Sequence, residues 1–138
     1  MLRLPIFEHH NPVSLEAALE LLGGFAERDE EAKVIAGGTD LVPNMKHEIE
    51  MPQHVVSLRN LGLEGVEQEG DEIVIGAMSS LESLLSEPLI AEHLPALKQA
   101  IREIAGPQLR VMGTIGGNVC LNTRCLYINQ TYFWRSSL

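Results

Sequence analysis

Two short glycine clusters, Ala36-Gly-Gly-Thr-Asp40 and Gly113-Thr-Ile-Gly-Gly-Asn118, constrain this chain more than any other feature of its sequence. Glycine permits backbone angles closed to other residues and lets the main chain approach a ligand closely, and converging backbone N–H groups are a good cradle for phosphate. The first cluster ends the apolar run Lys33-Val-Ile-Ala36, which reads as a buried strand, and leads toward a helix through Met45 and Lys46. The second follows a helix, Gly106-Pro107 and a short basic connection through Arg110. An ordinary glycine turn is the bland alternative for either cluster alone, whereas two such loops together suit the clamping of one diphosphate. Neither is the G-x-G-x-x-G of a nicotinamide fingerprint, and neither has the lysine spacing of a P-loop.

The remaining pattern supplies elements for these loops to join. Leu15, Ala18, Leu19 and Leu22 recur at helical spacing behind Ser14, a suitable N-cap, so a helix is expected from Ser14 to Leu22, stopped or bent by Gly23-Gly24. His54-Val-Val-Ser-Leu58 is a second strand, expected to pair parallel to the first across a helical crossover. Glu64 to Glu69 and Glu72 to Ala77 flank Gly70-Asp71 as a hairpin opening an antiparallel sheet. Ser79-x-x-Glu82 matches a capping box before Leu84-Leu85. Leu94, Leu97, Ile101 and Ile104 mark a further helix, with Gly106-Pro107 expected to give a left-handed C-cap and a stop. The expected class is α+β, with residues 1–58 as a small βαβ lobe and residues 59–138 as the start of a larger lobe.

A chain of 138 residues with 45% apolar content can bury one real core. Its net charge of −9, from 19 acidic and 10 basic residues, argues against nucleic acid or an anionic membrane as partner. No run of 18 apolar residues occurs and the amino terminus lacks a signal-peptide core, so a soluble cytoplasmic protein is expected. His9, His10, His47 and His54 show no spacing that converges with the cysteines, and no metal is assigned to them. Tyr127, Tyr132, Phe133 and Trp134 crowd the tail, while only Phe7 and Phe25 precede them. Such a tail is expected to pack against further sequence or a partner, and to promote self-association if left uncovered.

The stretches Val34-Ile-Ala-Gly-Gly-Thr-Asp-Leu-Val-Pro-Asn-Met-Lys46 and Gln108-Leu-Arg-Val-Met-Gly-Thr-Ile-Gly-Gly-Asn118, in this order, resemble the FAD subunit of the molybdenum hydroxylases. That family includes the flavin domain of xanthine dehydrogenase and the medium subunit of carbon monoxide dehydrogenase. Phe7 and Pro12-Val-Ser-Leu-Glu-Ala17 look like the family's start, so the chain reads as the amino-terminal portion of such a subunit. The resemblance implies the p-cresol-methylhydroxylase or vanillyl-alcohol-oxidase type of FAD-binding fold, a small parallel lobe and a larger mixed lobe. It implies FAD binding by Val34, Ile35, Ala36, Gly37, Gly38, Thr39, Asp40 and Leu41, and by Thr114, Ile115, Gly116, Gly117 and Asn118, with Ile115 near the isoalloxazine. Partner subunits would carry the molybdenum cofactor and a [2Fe–2S] cluster, and no catalytic acid or base is expected here.

From Cys120 through Cys125 to Trp134 the sequence resembles one branch, the β subunit of 4-hydroxybenzoyl-CoA reductase, which carries an extra [4Fe–4S] cluster in an inserted loop. On that resemblance Cys125 and Cys120 are metal ligands. A cluster normally takes four thiolates and the chain has two, so the site would be incomplete here. Two free thiols without metal are the alternative. The chain is thus read as part of an electron-transfer subunit of a molybdenum–flavin–iron–sulfur oxidoreductase acting on an aromatic CoA thioester, inactive by itself. The competing reading is an interaction module or remnant that does not bind FAD on its own.

Overall fold

The structure, a computed structural model, describes residues 2–137. The chain divides into two compact units, one formed by Met1–Leu61 with Leu121–Leu138 and the other by Gly62–Cys120. The segment from Leu121 therefore groups with the first unit, where the sequence suggested a continuation of the second.

In the first unit, strand β1 (Glu8–His10) is followed by helix α1 (Leu15–Glu27), strand β2 (Ala32–Ile35), helix α2 (Leu41–Lys46) and strand β3 (His54–Ser57). All pairing is parallel and the order is β1-β3-β2, so β3 is central. The anticipated βαβ crossover joins β2 to β3 through α2. The sequence did not announce β1, which is three residues long. Nor is β2 a buried strand, because it lies beside β3 alone and Val34 is exposed; the buried strand is β3, through Val55, Val56 and Ser57.

Helix α1 starts where expected, with Ser14 Oγ accepting from the Ala17 amide at 3.1 Å. It does not stop at Gly23-Gly24. Each glycine costs about 1 kcal/mol relative to alanine in a helix interior, yet Phe25 lies just beyond and is buried with Ala18 and Val56. Burying a phenylalanine returns roughly 1.5–3 kcal/mol, enough to carry the helix on to Glu27. The stop comes at Asp29, in the left-handed region at φ 56°.

The second unit opens with the hairpin of β4 (Val66–Glu69) and β5 (Glu72–Ile75), antiparallel and closed around Gly70-Asp71 as expected. Four short helices follow: α3 (Leu81–Ser86), α4 (Pro88–His93), α5 (Pro95–Glu103) and α6 (Pro107–Met112), and then α7 (Ile115–Val119). Leu81, Leu84, Ile90 and Ile101 form the buried core, with Val66, Ile73, Ile75, Leu97 and Ile115 packed against it.

Two caps differ from the sequence expectation. Ser80, not Ser79, caps α3, accepting from the Ser83 amide at 3.0 Å. The Ser79 hydroxyl is already engaged with Gly65, accepting from its N–H at 2.9 Å and donating to its carbonyl at 3.1 Å, while Glu82 pairs with Arg110. Gly106 is no left-handed C-cap either. Its φ is −97° and it caps the start of α6, and the left-handed position after α5 falls on Ala105 at φ 45°. Pro107 accordingly opens a helix rather than closing one, as proline can at a first helical position.

The tail forms helix α8 (Tyr132–Arg135), with Thr131 as its N-cap. The Arg135 guanidinium ties it to the first unit, donating to the carbonyls of Gln130 at 3.0 Å and Glu48 at 2.9 Å. Tyr132, Phe133 and Trp134 remain exposed.

The core of the second unit predicts a specific cost. Ile101 is fully buried, and Ile101→Ala should destabilise the protein by about 2–5 kcal/mol through lost transfer energy and a residual cavity. Urea denaturation followed by circular dichroism measures it.

Candidate functional site

The first glycine turn is built by the end of β2 and the start of α2. Gly38 takes φ +73°, a conformation that L side chains rarely adopt, and a Cβ there would press on Ile35 Cδ1 at 3.2 Å. The helix start is not capped by a side chain: Asp40 makes no bond to the amides of its own first turn. Its carboxylate instead accepts from Asn44 Nδ2 at 2.8 Å and pairs with the Arg124 guanidinium. Val42 and Asn44 donate their amides to the carbonyls of Gly38 and Asp40. No hydrogen bond among the described residues uses the amides of Gly38, Thr39 or Asp40. Free donors are normal at a helix start. Here they follow a strand and sit beside an exposed threonine, Thr39, an arrangement suited to phosphate oxygens.

Arg124 is the residue that the sequence reading missed at this turn. It lies 84 positions from Asp40 in the chain, and nothing in local pattern signals the pair. Its side chain is 11% exposed, against 45% for Asp40. The guanidinium offsets a carboxylate that would otherwise repel an anion at the same turn.

The second cluster is differently made. Thr114 is buried and caps α7, its Oγ1 accepting from the Gly117 amide at 3.1 Å. Ile115 donates to the Ser79 carbonyl at 3.0 Å, Gly116 to that of Ala77 at 2.9 Å and Asn118 to that of Thr114 at 2.9 Å. The amides of residues 115–118 are thus engaged within the unit, and this turn offers no set of free converging donors like that of the first. What it presents outward is the exposed Gly117 and Asn118, while Ile115 packs partly against the core. Gly116 has a structural reason of its own, since a Cβ there would stand 2.7 Å from the Ala77 carbonyl oxygen.

Arg110, in the basic connection, is likewise committed. Its guanidinium gathers the carbonyls of Arg102, Ile104 and Ala105 at 3.1–3.3 Å and pairs with Glu82 at 2.9 Å, satisfying the end of α5. Cys120 and Cys125 are free, exposed thiols, the first in the second unit and the second in the first.

Against known proteins, residues 5–126 match the family described as the FAD binding domain in molybdopterin dehydrogenase. The chain belongs to that family. It is 42% identical over 113 residues to the carbon monoxide dehydrogenase medium chain of Afipia carboxidovorans, covering 81% of this chain and 38% of that one. It is 38% identical to the nicotine 6-hydroxylase medium subunit of Paenarthrobacter nicotinovorans, covering 86% and 41%. The structure of carbon monoxide dehydrogenase from Hydrogenophaga pseudoflava superposes with a TM-score of 0.80 at 40% identity, over 85% of this chain and 40% of that one. The chain therefore spans about two-fifths of the length of these relatives. The expected α+β FAD-binding fold and the family resemblance both hold.

The close approach at Gly116 yields a prediction that needs no ligand. Gly116→Ala should lower stability by about 1–3 kcal/mol, the usual cost of forced overpacking, in flavin-free protein. Thermal denaturation without flavin checks it, and loss of flavin in this variant would for that reason say nothing about cofactor contacts.

Proposed function

We propose that the chain is the FAD-binding, electron-transferring portion of a molybdenum–flavin–iron–sulfur oxidoreductase, with residues 34–41 and 114–118 contributing to the FAD site. The observation that carries this reading is the turn at Gly37–Asp40, where the amides of Gly38, Thr39 and Asp40 are free and the nearby carboxylate is paired with Arg124. Those amides and the Thr39 hydroxyl would bind pyrophosphate oxygens. Asn118 would add a side-chain amide from the second turn. Bound FAD supplies the capacity to take up and pass on electrons, and the protein's share is binding and orientation.

Substrate chemistry then belongs to a molybdenum-bearing partner, with a [2Fe–2S] subunit completing a heterotrimer in the cytoplasm. Among the described residues no helix is long and apolar enough to cross a membrane, which is compatible with that setting. For the substrate we infer an aromatic CoA thioester, as in 4-hydroxybenzoyl-CoA reductase. This rests on the segment from Cys120 to Trp134 and on two exposed thiols available as part of a [4Fe–4S] ligand set in a longer subunit. The relatives' names span carbon monoxide, nicotine, nicotinate and xanthine chemistry, so family membership alone does not choose a substrate.

A second reading, a module that does not bind FAD by itself, is favoured by the second turn, whose amides are engaged and whose Gly116 is accounted for by packing. Flavin titration separates the two. Thr39 and Asn118 are exposed, so Thr39→Ala and Asn118→Ala should leave flavin-free stability unchanged. Each should weaken FAD binding roughly fivefold, the worth of one hydrogen bond of about 1 kcal/mol. Flavin fluorescence quenching measures the affinity. Wild-type protein that fails to quench FAD would support the second reading, whereas variants that bind as tightly as wild type would overturn the assignment of Thr39 and Asn118 to the FAD site.

A further inference from the structure

We propose that Glu8, His10 and His54 form a zinc-class metal site on the parallel sheet of the first unit, independent of the flavin turn. Strand geometry builds the site. Glu8 and His10 are two apart on β1 and project to the same face, and His54 on β3 is the register partner of Glu8. His9, between them, turns to the other face and contacts Asn11 instead.

The donor atoms lie close to the spacing of a coordination sphere. His10 Nε2 lies 3.2 Å from His54 Nδ1, His54 Nδ1 lies 3.6 Å from Glu8 Oε2, and His10 Nε2 lies 3.9 Å from the same oxygen. A tetrahedral zinc ion with bonds of about 2.0–2.1 Å separates its ligands by about 3.3–3.4 Å, so small adjustments of the exposed Glu8 close the triangle. Two imidazoles and one carboxylate are a familiar zinc donor set, leaving a fourth position to water. A hydrogen bond between the two rings would account for the first distance alone. It does not require a carboxylate near both nitrogens.

The surroundings hold the donors in place. Phe25 stacks on the His54 ring at 4.0 Å between centroids and 7° between planes, and the His54 side chain is only 13% exposed. The other nitrogen of that ring, Nε2, lies 3.4 Å from Glu30 Oε2, the outer carboxylate that commonly orients a metal-binding histidine. Arg28 Nε donates to the same Glu30 oxygen at 2.8 Å and helps hold that carboxylate in place. Glu8, at 74% exposure, leaves the site open to an entering ion.

The test is zinc titration of the full chain by calorimetry, with Cys120→Ser and Cys125→Ser introduced together so that the free thiols contribute nothing. The expected result is one zinc ion per chain in this background. Binding should weaken at least about tenfold in Glu8→Gln and about 10–100-fold in Glu30→Gln, the range for losing an outer-sphere partner. Glu8 is exposed and its replacement spares the fold, as circular dichroism will verify, so the result does not hinge on a disruptive variant. His10→Gln should abolish binding. No zinc uptake in the thiol-free background, or uptake that Glu8→Gln leaves unchanged, overturns the proposal.

Discussion

Parallel pairing in a three-stranded sheet obliges the chain to leave each strand at one end and re-enter at the other, with a connection crossing the sheet between. In the first unit that obligation fixes almost everything else. The exit from β2 must turn sharply into α2 to return along β3, and the turn falls on Ala36–Asp40. Because a helix begins there with no side chain capping it, its leading amides make no hydrogen bond among the described residues. The donors suited to an anion are thus a by-product of strand direction, and the composition of the turn only makes the bend feasible. The same parallel register sets Glu8 and His10 against His54.

The second unit spends its polar groups internally. Ser79 ties the approach to α3 onto Gly65, Arg110 closes the end of α5, and Thr114 and the amides after it hold α7 against the hairpin segment through Ala77 and Ser79. Such a network makes a rigid support whose outward face, at Gly117 and Asn118, is small and close to the backbone. Two glycine clusters of similar composition therefore do different jobs. One leaves donors free, and the other lets two pieces of main chain meet.

The relatives place these features in a wider frame. Subunits of enzymes named for carbon monoxide, nicotine and xanthine all share this region with the chain. A region common to proteins with such different substrates is suited to a task they share, and holding a flavin is one such task.

Periodicity and turn chemistry made much legible from residues alone: the parallel β2–β3 pair, the hairpin at Gly70-Asp71, the Ser14 cap and the core helix through Leu97 and Ile101. These follow from neighbours within a few positions, where side-chain spacing and backbone preference act directly. Tertiary packing decided the rest. Phe25 carried α1 through two glycines because its burial outweighed their helix cost, and Ser79 lost its expected cap because Gly65 claimed its hydroxyl. The composition of Gly113–Asn118 marked a tight turn, but only the position of Ala77 showed why Gly116 is needed there. Arg124 beside Asp40, and Glu8 and His10 beside His54, join residues far apart in sequence. No local pattern encodes such meetings, because they depend on where separate segments come to lie after the chain has folded.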